Sequence, residues 1–321
     1  MPGSLIGKTI AVTGAAGFIG GRVVDRLAKD GCRIIRVART PSPPVDVAAA
    51  PDVTDLIGDI AERAIWDEIA AADIVFHFAA ETGGAVAAAD AAADFQANVT
   101  PIRHLLAACR QGGRHPFVLF AGTVTAAGRP KRLPVNEDEP DDPITTYDRH
   151  KLMAEGELKA AVSQGVACAA TLRLSNVYGP GVRGARQDRD ILNRMITRAM
   201  HGESLTVYGT GEYVRDYVFI EDVVDAFLIA AEHPDRVNGS HFIVGSGQGV
   251  TIRAAFELVA ERVEAATGRR VPVITADPPE GLSDIQRRHF VADHARFSSA
   301  TGWRPCWTLS RGIDRTIEAF A

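Results

Sequence analysis

Two residues of this 321-residue chain have the types and spacing for proton chemistry. Tyr147 and Lys151 lie four positions apart in Thr145-Thr146-Tyr147-Asp148-Arg149-His150-Lys151. On a helix they would share one face. A lysine cation beside a phenol favours the phenolate and is expected to draw the tyrosine pKa down from about 10. A phenol tuned in that way can give or take the proton that accompanies hydride transfer. The spacing is common in helices, so its weight comes from position, one strand and one loop after Phe117–Ala121.

A second constellation supplies a place for the hydride carrier. Thr13-Gly14-Ala15-Ala16-Gly17-Phe18-Ile19-Gly20 directly follows a β-branched run and opens a helical pattern. Glycine permits the tight turn and lets backbone approach a pyrophosphate, while the free N–H groups and dipole of the helix favour the anion. The strand–turn–helix context makes this a dinucleotide site rather than a flexible turn. At the end of the second strand an acid would bind the adenosine ribose hydroxyls, and an arginine would accommodate a 2′-phosphate. The chain has Val37-Ala38-Arg39-Thr40, so Arg39 favours NADP, with a solvated loop arginine as the alternative.

These residues need a scaffold. Thr9–Val12, Arg33–Val37, Ile74–Phe78 and Phe117–Phe120 read as strands, and Ile19, Val23 and Leu27 fall on one helix face. Strands alternating with helices predict right-handed βαβ units, and continuous apolar strands predict burial on both sheet faces. The expectation is an α/β, Rossmann-type doubly wound parallel sheet with a smaller, interleaved C-terminal substrate-binding lobe. Residues 1–173 and 217–244 are assigned to the dinucleotide-binding part, and 174–216 and 245–321 to the lobe. Thr40-Pro41-Ser42-Pro43-Pro44 reads as a loop, and the Pro- and acid-rich stretch 128–143 precedes a helix beginning near Thr145.

Thr13–Gly20, Tyr147–Lys151, Arg173–Gly181, Arg215–Val223 and Gly302-Trp303-Arg304-Pro305 occur in order over almost the whole chain. Together they resemble the NAD-dependent epimerase/dehydratase family, the extended short-chain dehydrogenases. The two-residue gap between Gly14 and Gly17 fits that superfamily. The resemblance implies a Ser/Thr that bonds the reacting oxygen. Counting back from Gly128 this is Thr123, with Thr125 as fallback. It further implies that Lys151 holds the nicotinamide ribose. The cofactor set it implies comprises Gly14, Ala16, Gly17, Phe18, Ile19, Gly20, Asp59, Ile60, Phe78, Ala79, Ala80, Asn98, Tyr147 and Lys151, beside Arg39. For Asn98 a helix cap is the competing reading. On the substrate side it implies Asn176, Asn193 and Arg215, arginine being suited to bidentate phosphate contact. It also implies a homodimer pairing around 95–111 and 147–164.

Two departures bear on the substrate. Relatives carry Arg-x-Gly-Asp before the final Ala-Asp. Here Gly281-Leu282-Ser283-Asp284 precedes Arg287 and Arg288, either of which is a candidate replacement. Between Tyr147 and Lys151 stand Asp148, Arg149 and His150, where small residues are usual; His150 is expected to face away from Lys151. Sugar dehydratases follow the threonine with Asp-Glu, but this chain has Val124 and Thr125, neither of which is a general acid near neutral pH. Dehydration is therefore disfavoured. A nucleotide-sugar epimerase working through a keto intermediate is the leading reading, and would favour NAD. An NADPH-dependent nucleotide-sugar 4-ketoreductase, favoured by Arg39, is the alternative. A non-catalytic dinucleotide sensor is the third, disfavoured because Tyr147 and Lys151 are both retained.

The bulk numbers exclude other classes. A net charge of −5 gives no general attraction to nucleic acid or anionic membrane. The 46% apolar and 23% charged residues are those of an ordinary globular chain. Cys32, Cys109, Cys168 and Cys306 are far apart in sequence and the histidines are scattered, so neither a disulfide framework nor a metal site is expected. No apolar stretch approaches the roughly 18 residues of a span, and Met1-Pro2-Gly3-Ser4 begins no signal-peptide pattern. A cytoplasmic enzyme is the expectation.

Overall fold

Five largely apolar runs and one polar one become the first six strands: β1 (Thr9–Thr13), β2 (Arg33–Ala38), β3 (Asp52–Ile57, the polar one), β4 (Ile74–His77), β5 (Phe117–Thr123) and β6 (Cys168–Leu174). Six more strands follow: β7 (Asn176–Tyr178), β8 (Leu205–Tyr208), β9 (Val214–Phe219), β10 (His241–Val244), β11 (Gly249–Thr251) and β12 (Val273–Ala276). The computed structural model describes residues 5–41, 52–82, 84–113, 115–182, 190–278 and 284–321. Ser42–Pro44 of the expected loop and Gly281–Ser283 lie outside the described residues.

The main sheet has seven strands in the order β10-β6-β5-β4-β1-β2-β3, and every pairing in it is parallel. The direction of strand succession reverses between β1 and β4, which makes that boundary the topological switch point where such sheets bind ligands. Alternate residues serve opposite faces, as the period of a strand requires. Ile10, Val12, Phe76, Leu119 and Leu172 enter one core. Ala11, Val75, Val118, Phe120 and Ala169 enter the other. Burying each large apolar side chain of this kind contributes about 1.5–3 kcal/mol, and covering both faces explains the unbroken apolar character of the strands.

β3 is the exception. Its residues are exposed or half-buried, none fully buried, and it is an outermost strand of the sheet. Its polar sequence is tied to β2 by Arg33–Asp52 and Arg36–Asp55 pairs at 2.6 and 2.8 Å. Beyond the main sheet, β11-β9-β7 form a three-stranded sheet and β12-β8 a two-stranded one. Among the described residues, the strand that crosses residue 217, β9, pairs with β7 and β11 alone.

The helix Thr146–Ser163 begins with a capping box. Asp148 N–H donates to Thr145 Oγ1 at 3.1 Å, and Thr145 N–H donates to Asp148 Oδ2 at 3.0 Å. Satisfying two otherwise orphaned donors sets the start of the helix. Its middle is held by Arg173 at the end of β6, which is buried. The guanidinium donates to Glu155 Oε2 and Oε1 at 2.9 and 2.8 Å and to both oxygens of Asp141 at 2.6 and 3.0 Å. One cation thereby ties the acid-rich 128–143 segment, the Tyr147 helix and the sheet together.

Candidate active site

The turn after β1 closes tightly. Gly14 N–H donates to Val37 O at 2.9 Å, and Gly17 N–H donates to Gly14 O at 2.8 Å. Gly14 has φ +69°, and a Cβ there would lie 2.8 Å from the backbone nitrogen of Ala79, across the switch point. A Cβ on Gly20 would collide with the Gly14 carbonyl. Gly17 caps the helix Phe18–Leu27 without a side-chain bond, and the first turn carries no acid. The helix N-terminus is therefore left for an anion, and the glycines keep backbone within its reach. This cradle fits a dinucleotide pyrophosphate.

The flanking candidates sit at the carboxyl ends of neighbouring strands. Arg39 and Thr40 are exposed just past β2. Asp59 Oδ1 accepts from Ala61 N–H at 2.9 Å, and Ile60 O accepts from Trp66 Nε1–H at 2.7 Å, which fixes the loop after β3. Ala79 N–H donates to Thr13 Oγ1 at 3.2 Å. The Phe78 ring meets Phe227 edge-on, with centroids 4.6 Å apart, so its side chain packs on the core. Asn98 is buried and donates to Glu81 O and Asp94 Oδ1, both at 3.1 Å.

Sheet register carries this turn to the catalytic helix. Thr13 lies beside His77, and His77 beside Phe120. Thr13 Oγ1 and His77 Nδ1 are 2.7 Å apart. His77 stacks on Phe120 with centroids 5.7 Å apart, and Lys151 Nζ sits 3.9 Å from the Phe120 centroid. Burial, and secondarily the Lys151 charge, pushes the His77 imidazole down to about 3, so it is neutral. Burial pushes the Lys151 ammonium down to about 7, although the Glu155 and Asp94 carboxylates oppose this.

Tyr147 corrects one expectation. Burial holds its phenol above the ordinary tyrosine range, and the carboxylates of Asp148, Asp94 and Glu81 add to the effect. Desolvation is the larger cause, so the folded chain by itself favours the phenol over the phenolate. Asp94, itself fully buried, bonds His150 Nδ1 at 2.6 Å, so His150 turns toward the helix Ala91–Asn98. Thr123 Oγ1 is 2.7 Å from Thr125 Oγ1 and accepts from Thr125 N–H at 3.2 Å. Thr125 in turn donates to Asp148 Oδ1. A carboxylate thus reaches Thr125 from the helix rather than from the threonine loop.

On the substrate side the candidates diverge. Arg215, on β9, is buried and donates to the carbonyls of Val214, Gln286 and Arg288. Of the two later arginines, Arg287 is exposed and Arg288 is buried. Burial, reinforced by Arg215 and opposed by Asp148, pushes Arg288 down to about 10, and its Nε has no hydrogen-bond partner among the described residues. Neither arginine forms a carboxylate ion pair there. Asn176 Nδ2 donates to Asp216 O at 3.2 Å. Asn193 exchanges two 2.9 Å bonds with the Gly179 backbone, so its amide is spent on that turn. No cluster suited to a metal occurs among the described residues, and no described helix is long and apolar enough to cross a membrane.

Residues 10–245 match the model of the NAD dependent epimerase/dehydratase family. The chain belongs to this family. It is therefore an NAD(P)-using enzyme of the extended short-chain dehydrogenase type. It is 29% identical over 319 residues to a UDP-glucose 4-epimerase of Mycolicibacterium smegmatis, covering 96% of this chain and 97% of that one. The UDP-glucose 4-epimerase of Thermotoga maritima, solved with UDP-glucose, is 29% identical and superposes with a TM-score of 0.85 over 97% of this chain and 98% of that one. MoeE5, solved with UDP-glucuronic acid and NAD, is 27% identical, with a TM-score of 0.83 and the same coverage.

Proposed function

We propose that this family member is a nucleotide-sugar epimerase that oxidises a ring hydroxyl to a ketone and reduces it again on the opposite face. The observation that carries the reading is one continuous row, Thr13–His77–Phe120–Lys151, joining the glycine cradle to the Tyr147 helix. Bound nicotinamide would supply the hydride acceptor and donor. Gly14, Gly17 and Gly20 receive the pyrophosphate, and Lys151 holds the ribose. Tyr147, as the phenolate that the positive charge of an oxidised nicotinamide bound beside it would favour, takes the substrate hydroxyl proton as the ketone forms and returns it after the sugar has turned. Thr123 orients the reacting oxygen.

Arg215 and Arg288 present two buried cations without carboxylate ion pairs among the described residues, a pairing suited to the diphosphate of the substrate. The activities of similar relatives make a UDP-hexose and its carbon 4 the first to test. Residues 174–216 and 245–321 supply this side of the cleft.

Arg39 favours a second reading, an NADPH-dependent ketoreductase, since an arginine just past β2 accommodates a 2′-phosphate. Mass spectrometry of the nucleotide released on denaturation separates the two. Stoichiometric NAD supports the epimerase, which keeps its cofactor between half-reactions. NADP, or an empty site that binds NADPH reversibly, supports the reductase.

A further inference from the structure

Lys151 is buried, yet among the described residues its ammonium makes neither a hydrogen bond nor an ion pair. What locates it is the face of the Phe120 ring, with Nζ 3.9 Å from the centroid. Phe120 is fully buried on β5, three residues before Thr123. It stacks on His77, with the two ring planes 18° apart. Thr13 holds the His77 imidazole, which is neutral, so Phe120 does not have to serve two cations.

We propose that Phe120 is a positioning residue whose electron-rich ring face seats the Lys151 ammonium and leaves its N–H groups to the bound dinucleotide. The inference rests on the reading of Lys151 as the residue that holds the nicotinamide ribose. An aromatic quadrupole attracts a cation, and does so most strongly where water has been removed. A carboxylate in the same place would accept N–H bonds from the ammonium and draw them away from the cofactor. An aliphatic side chain would pack on the lysine stem and offer the charge nothing. The register of β5, β4 and β1 places Phe120 beside His77 and His77 beside Thr13. The ammonium is thereby referenced to the strands that carry the glycine turn.

The seat works against burial, which pushes Lys151 down to about 7. Glu155 of the same helix and Asp94 of the helix Ala91–Asn98 also favour the cation. Charges on the other packed elements are engaged elsewhere. Arg173 of β6 bonds Glu155 and Asp141, and Arg103 of the helix Thr100–Gly112 pairs with Glu157.

The test replaces Phe120 in the full-length protein by phenylalanines carrying one, two and three ring fluorines. Fluorine withdraws charge from the ring face stepwise while shape and burial barely change. NMR of the isotope-labelled Lys151 side chain follows its titration, and calorimetry follows NAD(P) affinity. The Lys151 midpoint should fall with each fluorine, by about one unit over the series. NAD(P) affinity at pH 7 should fall in the same order, by up to about tenfold, the largest change in cation population that a one-unit shift allows. A midpoint indifferent to the fluorine count overturns the proposal, because a ring that only packs would hold the lysine equally well in every variant. A graded midpoint with constant affinity supports the seat and removes Lys151 from the ribose.

Discussion

Lys151 Nζ lies over the face of Phe120, 3.9 Å from the ring centroid, and Phe120 stacks on the neutral imidazole of His77. The ring quadrupole attracts the ammonium, yet burial dominates and brings the lysine to about 7. Unfolded, the same lysine holds its proton to about 10.5. Between those values the unfolded chain binds the extra proton, so this group makes stability rise with pH across the window and withdraws that contribution as pH falls through 7. The slope from one group cannot exceed about 1.4 kcal/mol per pH unit. Urea unfolding at several pH values should show this rise in wild type and lose it in Lys151→Met. Equal slopes in the two proteins would place the lysine in water.

Tyr147→Phe removes the proton carrier and leaves the ring. Turnover should fall about 10²- to 10⁴-fold, while NAD(P) affinity, measured by calorimetric titration, stays near wild type because the glycine cradle is intact. Unchanged turnover would remove Tyr147 from the mechanism.

Gly14→Ala forces an L side chain to φ +69° and drives its Cβ against Ala79 N. A non-glycine residue in this region costs roughly 1–3 kcal/mol. Chemical denaturation should show that loss, together with weakened dinucleotide binding. Wild-type stability and affinity would mean that the turn has room to relax.

Arg173→Met leaves Glu155 and Asp141 without their shared cation. Removing one partner of a buried pair typically costs about 3–5 kcal/mol, and thermal unfolding should register it. Glu155 is buried while Asp141 is a third exposed, so the Glu155 side carries most of the loss. A melting temperature equal to wild type would contradict this.

The sequence displayed what repeats locally and hid what long-range packing decides. β1, β2, β4 and β5 were legible because most of their residues are buried and their sequences are predominantly apolar. β3 was not, since Asp52-Val53-Thr54-Asp55-Leu56-Ile57 is an edge strand whose polar residues satisfy β2 and solvent. Gly14, Tyr147 and Lys151 could be proposed from their spacing relative to strands and turns, and Thr123 only from the family resemblance. Asp94 could not, because its bond to His150 spans 56 positions, and burial, with the nearby acids adding to it, turned the expected Tyr147 shift upward. Asp148 was visible as an unusual neighbour of Tyr147, but its grip on Thr125 depends on how the helix meets the loop after β5. Asn193 looked available and proved committed to the Gly179 turn. Only burial separates Arg288 from Arg287.

In the proposed reaction one hydride leaves the sugar and returns to it within this site. The direct measurement is NMR of the product formed from UDP-glucose deuterated at carbon 4, with no reductant added. UDP-galactose that retains the deuterium at carbon 4 is the predicted result. Deuterium lost to water, or no epimer from protein that carries stoichiometric NAD, would contradict it.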